Sequence, residues 1–118
     1  MKAHILLVDD EDAVRDICSQ MLARLGYEVT AAADGPDALR VFSGDPARFD
    51  LLMLDLNMPG MSGRQLLKEL RKVRPEAPAI FCSGDPDPDT APGDPPQLHK
   101  PYRLVELKAC IEAQLASR

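Results

Sequence analysis

Three kinds of pattern are missing from this sequence of 118 residues, and each absence excludes a class of protein. Lysine and arginine form no cluster and the net charge is −5, so we expect no direct binding to nucleic acid. No apolar run approaches the roughly 18 residues of a membrane-spanning helix, so we expect no membrane insertion. The start of the chain also lacks the layout of a signal peptide, because the apolar run after it covers only Ile5–Val8.

The chain has few cysteines, and their number is odd. Cys18, Cys82 and Cys110 are widely spaced and form no Cys-x-x-Cys motif. An odd count speaks against a disulfide framework, and each cysteine falls at an apolar position of a periodic pattern. We therefore expect small buried side chains and place the protein in the cytoplasm.

Short apolar runs alternate with helical patterns along the whole chain. The predicted strands are Ile5–Val8, Tyr27–Ala31, Leu51–Asp55, Ala79–Cys82 and a short fifth strand around Leu98. Continuous apolar strands are typical of parallel sheets that are buried on both faces. The alternation predicts one α/β domain over residues 1–118, with a doubly wound, five-stranded parallel sheet.

Four amphipathic patterns supply the helices. Gly26 ends the first helix, and Asp34-Gly35-Pro36 begins the second. The predicted inner faces are Val14, Ile17, Cys18, Met21, Leu22 and Leu25 in the first helix, Ala38, Leu39 and Phe42 in the second, Leu66, Leu67, Leu70 and Val73 in the third, and Leu104, Leu107, Ile111 and Leu115 in the last.

One segment interrupts the alternation. Residues 84–96 contain five prolines, two glycines and four aspartates among thirteen residues. Proline removes a backbone donor and clashes with the preceding helical turn. We therefore expect an extended Pro/Asp-rich loop where a helix between the fourth and fifth strands would otherwise lie.

The stretch Leu51–Gly63 carries the strongest local signal. An apolar run of strand length ends on an acid, Asp55, and a loop that contains Asn57 then leads into the third helix. An acid at the carboxyl end of a buried strand lies at the sheet edge where open α/β folds bind their ligands. Our hypothesis is that Asp55 is a nucleophile or a metal ligand; the alternative is an acid that ends a strand and caps a turn.

Polar side chains follow the other predicted strands as well. Asp9 and Asp10 follow the first strand, Ser83 the fourth and Lys100 the fifth. Three converging carboxylates repel one another, and oxygen ligands without histidine or cysteine favour Mg²⁺. A hydroxyl and an ammonium add contacts for a phosphoryl group, so the set indicates phosphoryl transfer. Taken singly, each residue also fits a structural role, such as an acid near a helix start or a turn residue.

These motifs together resemble those of a known family. Val8-Asp9-Asp10-Glu11, the stretch Leu54–Gly63, Ser83-Gly84 and Lys100-Pro101-Tyr102 are similar in order and spacing to the motifs of response-regulator receiver domains in two-component signalling. The resemblance covers nearly the whole chain. It implies a flavodoxin-like fold with strand order 2-1-3-4-5.

The resemblance also implies a magnesium site. Asp10 and Asp55 would bind Mg²⁺ directly, together with the backbone carbonyl of Asn57, and Asp9 would act through a bound water molecule.

Asp55 would then be the phosphoacceptor. By the same resemblance, the phosphoryl group comes from a phosphohistidine on a sensor histidine kinase or phosphotransfer protein, and a downstream protein partner senses the change. Ser83 would bind a phosphoryl oxygen and Lys100 would pair with the phosphate. The Lys100–Pro101 bond is expected to be cis.

The sequence departs from the family at two places that concern signalling rather than chemistry. Gln97 occupies the place three residues before the lysine where the family has an aromatic switch residue. The helix expected within residues 84–96 is missing from the pattern. Both departures bear on the conformational relay and leave the phosphorylation chemistry unchanged.

Other functions are compatible with parts of the pattern. A Mg²⁺-dependent phosphohydrolase with an aspartyl nucleophile would need a second acid two residues after Asp55, where this chain has Asn57. A phosphorylation-independent interaction module would not need Asp10, Asp55 and Lys100. We expect a single-domain receiver that catalyses only its own phosphorylation and dephosphorylation, with a receiver fragment of a hybrid histidine kinase as the alternative.

Overall fold

The computed structural model describes residues 2–84 and 93–116. Within these ranges the chain forms five strands and four α-helices. In chain order they are β1 (His4–Val8), α1 (Asp12–Arg24), β2 (Glu28–Ala32), α2 (Gly35–Gly44), β3 (Leu51–Asp55), α3 (Gly63–Val73), β4 (Ala79–Ser83), β5 (Gln97–His99) and α4 (Leu104–Ala116). A short 3-10 turn, Pro46–Arg48, lies between α2 and β3.

The strands form one parallel sheet in the order β2-β1-β3-β4-β5, which confirms the predicted flavodoxin-like topology. Leu54 is opposite Val8 on one side, and Asp55 is opposite Cys82 on the other. Because the strands are parallel, their carboxyl ends lie at the same edge of the sheet.

Both faces of the sheet are covered by helices. Every residue of β1, β3 and β4 is buried. Alternate residues of a strand point to opposite faces, which divides the core into two clusters. One joins Leu6, Leu52, Leu54 and Phe81 to Ala38 and Phe42 of α2 and to Leu66 and Leu70 of α3. The other joins Ile5, Leu7, Met53 and Ile80 to Cys18 and Leu22 of α1 and to Leu107 and Ile111 of α4.

The helix ends follow the sequence signals. The Asp34 carboxylate accepts a hydrogen bond from the backbone N–H of Asp37 at 2.8 Å and begins α2. Ser62 and Gln65 form a reciprocal capping box at the start of α3. Gly26, which follows α1, has a φ of +93°, in the left-handed region that glycine tolerates.

Two apolar residues predicted to face the core are exposed. Ile17 of α1 is 60% exposed and Val73, the last residue of α3, is 43% exposed. Helix α1 packs on the sheet through Cys18 and Leu22, which are four residues apart and share one face. Ile17 lies about 100° around the helix from Cys18, at the edge of that face. The cysteine prediction is confirmed for Cys18 and Cys82, whereas Cys110 is only partly buried.

Most of the Pro/Asp-rich segment lies outside the described residues, which omit 85–92. Its expected lack of a helix therefore stays a prediction. Close to β5, Asp94 forms an ion pair of 2.8 Å with Arg64 of α3. In the described parts of the chain, no helix has both the length and the apolar character needed to cross a membrane.

Candidate functional site

Four strand ends meet at one edge of the sheet, and each delivers a polar side chain. Asp9 and Asp10 follow β1, Asp55 ends β3, Ser83 ends β4 and Lys100 follows β5. These are the side chains that the sequence predicted for the site. The sheet order places β3 between β1 and β4, so Asp55 lies at the centre of the group.

The three acids form a compact cluster. One carboxylate oxygen from each of Asp9, Asp10 and Asp55 lies within 4.8 Å of the other two. Asp9 is 3% exposed and Asp55 is 5% exposed, while Asp10 is more accessible to solvent. Carboxylates this close, two of them buried, repel strongly unless a cation or a proton neutralises them.

The pKa of Asp55 is raised in this environment. Burial raises it from 3.8 to about 6, because it disfavours the carboxylate. Lys100 and the backbone N–H of Asn57 lower this pKa, while Asp9 and Asp10 raise it further. Asp55 is therefore held in a site that stabilises its negative charge incompletely.

Lys100 supplies the positive charge of the site. Its Nζ lies 2.9 Å from Oδ2 of Asp9 and 3.5 Å from Oδ2 of Asp55. Burial on its own would lower the pKa of Lys100, but the hydrogen bond to Asp9 and the attraction of both carboxylates outweigh burial and raise it. The ammonium is thus shared between two acids and is closer to Asp9.

Asp9 is fixed on several sides. Its Oδ1 accepts a hydrogen bond of 2.9 Å from the N–H of Glu11, and its backbone carbonyl accepts one of 2.8 Å from Nη1 of Arg15. The sequence argument missed Arg15. The available signal was weak: a basic residue in the first turns of an amphipathic helix that follows an acidic run.

The loop after β3 brings Asn57 to Ser83. The backbone N–H of Asn57 donates to Oδ1 of Asp55 at 3.2 Å, and its Nδ2 donates to Oγ of Ser83 at 3.3 Å. Asn57 therefore contacts both residues. Its backbone N–H bonds the central acid, and its side chain bonds the hydroxyl at the end of β4.

Gly63 lets α3 begin close to the backbone of Asp55. A Cβ atom at this position would lie 2.5 Å from the carbonyl oxygen of Asp55 and 2.9 Å from Cα of Leu56. The N–H of Gly63 also donates to the Leu56 carbonyl at 3.0 Å. The short loop from Asp55 to α3 depends on this close approach.

The region around β5 contains two features that the sequence singled out. The Lys100–Pro101 peptide bond is cis, as predicted. Gln97 is partly buried at the start of β5, and together with Ser83, Leu98 and His99 it lines a cavity of about 180 Å³. The place of the expected aromatic residue is thus next to Ser83, but it carries an amide.

Comparisons with known proteins give a consistent picture. A family model described as the response regulator receiver domain matches residues 5–94. The chain is 37% identical over 118 residues to the sensor kinase CckA of Brucella abortus, covering 96% of this chain and 12% of CckA. It is 38% identical over 116 residues to the sensory transduction protein RegX3 of Mycobacterium tuberculosis, covering 94% of this chain and 50% of RegX3. The chain thus spans about half the length of RegX3 and a much smaller share of CckA.

Solved structures match almost end to end. The receiver domain of the hybrid histidine kinase CckA has a TM-score of 0.83 and 38% identity, covering 96% of this chain and 99% of that one. The chemotaxis protein CheY4 of Vibrio cholerae has a TM-score of 0.86 and 31% identity, with coverage of 97% and 99%. A response regulator receiver domain protein of Clostridium thermocellum has a TM-score of 0.90 and 29% identity, with coverage of 98% and 95%.

Proposed function

The chain belongs to the family of response-regulator receiver domains, and from this premise we propose that Asp55 accepts a phosphoryl group from a phosphohistidine. One observation carries the assignment. Asp55 is the central acid of the cluster, with Asp9 and Asp10 close by and the Lys100 ammonium 3.5 Å from its Oδ2. Residues 1–118 are proposed to form one receiver domain. Receiver domains act in general as signalling domains rather than as enzymes.

Mg²⁺ fits the donor set. The cluster brings three carboxylate oxygens within 4.8 Å of one another, and hard divalent cations prefer such oxygen ligands. Asp10 and Asp55 would hold the ion with the Asn57 carbonyl, and Asp9 would contact it through water. When bound, the ion would neutralise the charge that gathers between the carboxylates and an incoming phosphoryl group.

The chain's own residues account for the transfer. A carboxylate oxygen of Asp55 attacks phosphorus, a phosphorus–oxygen bond forms, and the bond to the histidine nitrogen breaks as that nitrogen takes the electron pair. Lys100 is already within reach of Asp55 and pairs with the new charge. The Ser83 hydroxyl donates to a phosphoryl oxygen, which shifts the end of β4.

The signal then passes to protein partners. The phosphoryl donor is a sensor histidine kinase or phosphotransfer protein. A downstream protein target binds the phosphorylated domain and so senses the signal. We place the domain in the cytoplasm. The high coverage of the CckA receiver domain also supports a second candidate, in which this chain is the receiver part of a hybrid histidine kinase.

Labelling of Asp55 tests the proposal. Acetyl phosphate with Mg²⁺ should add one phosphoryl group to the wild type, detected by intact-protein mass spectrometry, and none to Asp55→Asn. Asp16→Asn, which changes an exposed acid of α1, is the matched control and should label normally. Equal labelling of Asp55→Asn would refute the assignment.

The phosphohydrolase alternative predicts a different outcome. An enzyme of that kind would turn over a small phosphate ester many times, whereas we expect the chain to catalyse only its own phosphorylation and dephosphorylation. Asn57, in the place where such an enzyme needs an acid, supports the receiver assignment. Sustained, Asp55-dependent release of phosphate from p-nitrophenyl phosphate at about one equivalent per chain per second or faster would support the enzyme instead. A slow release that matches the loss of label from phosphorylated Asp55 is the outcome expected for a receiver.

A further inference from the structure

The residues around Lys100 are held from two sides. On one side, the backbone N–H of Lys100 donates to the Ser83 carbonyl at 2.8 Å, which ties this residue to the end of β4. On the other side, the phenolic O–H of Tyr102 donates to Sγ of Cys18 at 2.8 Å. Cys18 is 2% exposed and lies in the middle of α1, 84 residues away in the sequence.

The Tyr102–Cys18 hydrogen bond joins two uncharged groups. Burial raises the pKa of Tyr102 far above its ordinary range, and the neighbouring thiols of Cys82 and Cys18 raise it further. Burial also raises the pKa of Cys18, which the bond from Tyr102 offsets only in part. The phenol therefore keeps its proton at neutral pH and adds no charge beside the acid cluster.

We infer that Tyr102 is a positioning residue for Lys100: its hydrogen bond to Cys18 holds the segment after Lys100 against α1 and so fixes where the ammonium lies. The lysine side chain is a flexible four-carbon stem, and the position of its base decides which carboxylates it reaches. Helix α1 also carries Arg15, which holds the backbone of Asp9. Both partners of the Lys100–Asp9 pair are thus anchored to one helix.

The inference rests on the proposed phosphorylation of Asp55, and Tyr102→Phe is its direct test. This change keeps the ring and removes only the donor. We expect the rate of labelling by acetyl phosphate, at saturating Mg²⁺, to fall about three- to fivefold, which is the effect of losing one ordinary hydrogen bond. The affinity for Mg²⁺ should stay within twofold, because the proposed metal ligands lie on other loops.

Matched variants separate this role from general packing. Tyr27 is the other tyrosine of the chain and packs against the same core cluster as Tyr102, the one that contains Cys18. Tyr27→Phe should not change the labelling rate. Cys18→Ala should lower the rate as Tyr102→Phe does, and the double variant should lower it no further. Cys18→Ser keeps an acceptor for the phenol and should restore most of the rate.

The decisive measurement is the labelling rate of variants that also carry Lys100→Met. Because this rate should be low, labelling is followed by mass spectrometry over an extended incubation. If Tyr102 acts through Lys100, adding Tyr102→Phe to Lys100→Met leaves the residual rate unchanged. Two results would overturn the inference: Tyr102→Phe lowers the labelling rate by the same three- to fivefold in the Lys100→Met background, or it does not lower the rate when Lys100 is present. In both cases the proposed function stands as long as Asp55→Asn is not labelled. Equal labelling of Asp55→Asn would instead overturn the proposed function, and with it this inference.

Discussion

Lys100 and Asp9, which are 91 residues apart in the sequence, form an ion pair of 2.9 Å at the carboxyl edge of the sheet. Oδ2 of Asp55 lies 3.5 Å from the same ammonium nitrogen. One cation therefore offsets part of the repulsion in a cluster of three acids, and the balance of charge in the site depends on it.

Replacing Lys100 should destabilise the metal-free protein. Lys100→Met leaves the buried carboxylates of Asp9 and Asp55 without their cation, which costs about 2 to 4 kcal/mol of unfolding free energy at pH 8. The loss should be smaller at pH 5, because Asp55, whose pKa is raised to about 6, is then largely protonated and needs no cation. The raised pKa of Lys100 keeps the wild-type ammonium charged throughout this range.

Urea unfolding at the two pH values measures this effect. Lys72→Met is the matched control, since Lys72 pairs with Glu69 on an exposed surface and its removal should cost less than about 1 kcal/mol. Equal losses for the two variants would contradict the charge balance described for the site.

The raised pKa of Asp55 predicts how metal-free stability depends on pH. Its pKa is about 6 in the folded protein, compared with 3.8 as the reference value for the unfolded chain. Between these values the folded state binds more protons than the unfolded state, so stability falls as pH rises from about 4 to about 6. The penalty is then fully present at neutral pH and is on the order of 2 to 3 kcal/mol.

Asp55→Asn isolates this contribution, because asparagine does not titrate. The variant should be more stable than the wild type at pH 7, and the difference should shrink as the pH approaches 4. Added Mg²⁺ should reverse the order by stabilising only the wild type. Thermal unfolding across this pH range is the measurement, and a difference that does not vary with pH would contradict the pKa assignment.

Gly63→Ala should disturb the fold next to the site. The added Cβ would lie 2.5 Å from the carbonyl oxygen of Asp55, which forces α3 away from β3 and costs about 2 to 3 kcal/mol. Gly44→Ala is the matched control: Gly44 is the exposed last residue of α2, and among the described residues an added Cβ has no neighbour within 4 Å beyond the adjacent residues and the backbone of its own helix. That variant should be unchanged or up to about 1 kcal/mol more stable. Chemical denaturation compares the two, and equal stability would argue against the close approach.

The sequence was sufficient to predict the sheet and the identity of the polar strand ends. Strand β3 ends at Asp55 in both the prediction and the structure, because a continuous apolar run followed by an acid marks a buried strand end clearly. The strand order came from the family resemblance rather than from the apolar pattern. A pattern of this kind shows that a strand is buried but not which strand is its neighbour.

The sequence did not predict the side-chain contacts that α1 makes near the site. The bond from Arg15 to the Asp9 carbonyl is local, but the sequence does not show that the Arg15 side chain turns back to the backbone six residues earlier. The bond from Tyr102 to Cys18 joins residues 84 apart and depends on how α1 lies across the sheet, which no local pattern encodes. The exposure of Ile17 has the same origin. Helical periodicity identifies an apolar face, but the packing angle decides which residues at its margin are covered.

The amide of Asn57 should shorten the lifetime of the phosphorylated state. Its backbone N–H donates to Asp55 and its Nδ2 donates to Ser83, which keeps the side chain near the proposed phosphoacceptor. We expect it to be within reach of a water molecule that attacks a phosphoryl group on Asp55. A polar group there orients that water, and an apolar side chain of similar length would not. We expect Asn57→Met to lengthen the lifetime about 3- to 10-fold.

Loss of label after removal of acetyl phosphate, at constant Mg²⁺, measures this lifetime. Asn57→Ser keeps a small polar group and is the control, for which we expect a lifetime closer to that of the wild type. Both variants should bind Mg²⁺ with similar affinity, because the proposed ligand at this position is the backbone carbonyl rather than the side chain. A lifetime that is unchanged or shorter in Asn57→Met would mean that the attacking water is oriented by other groups.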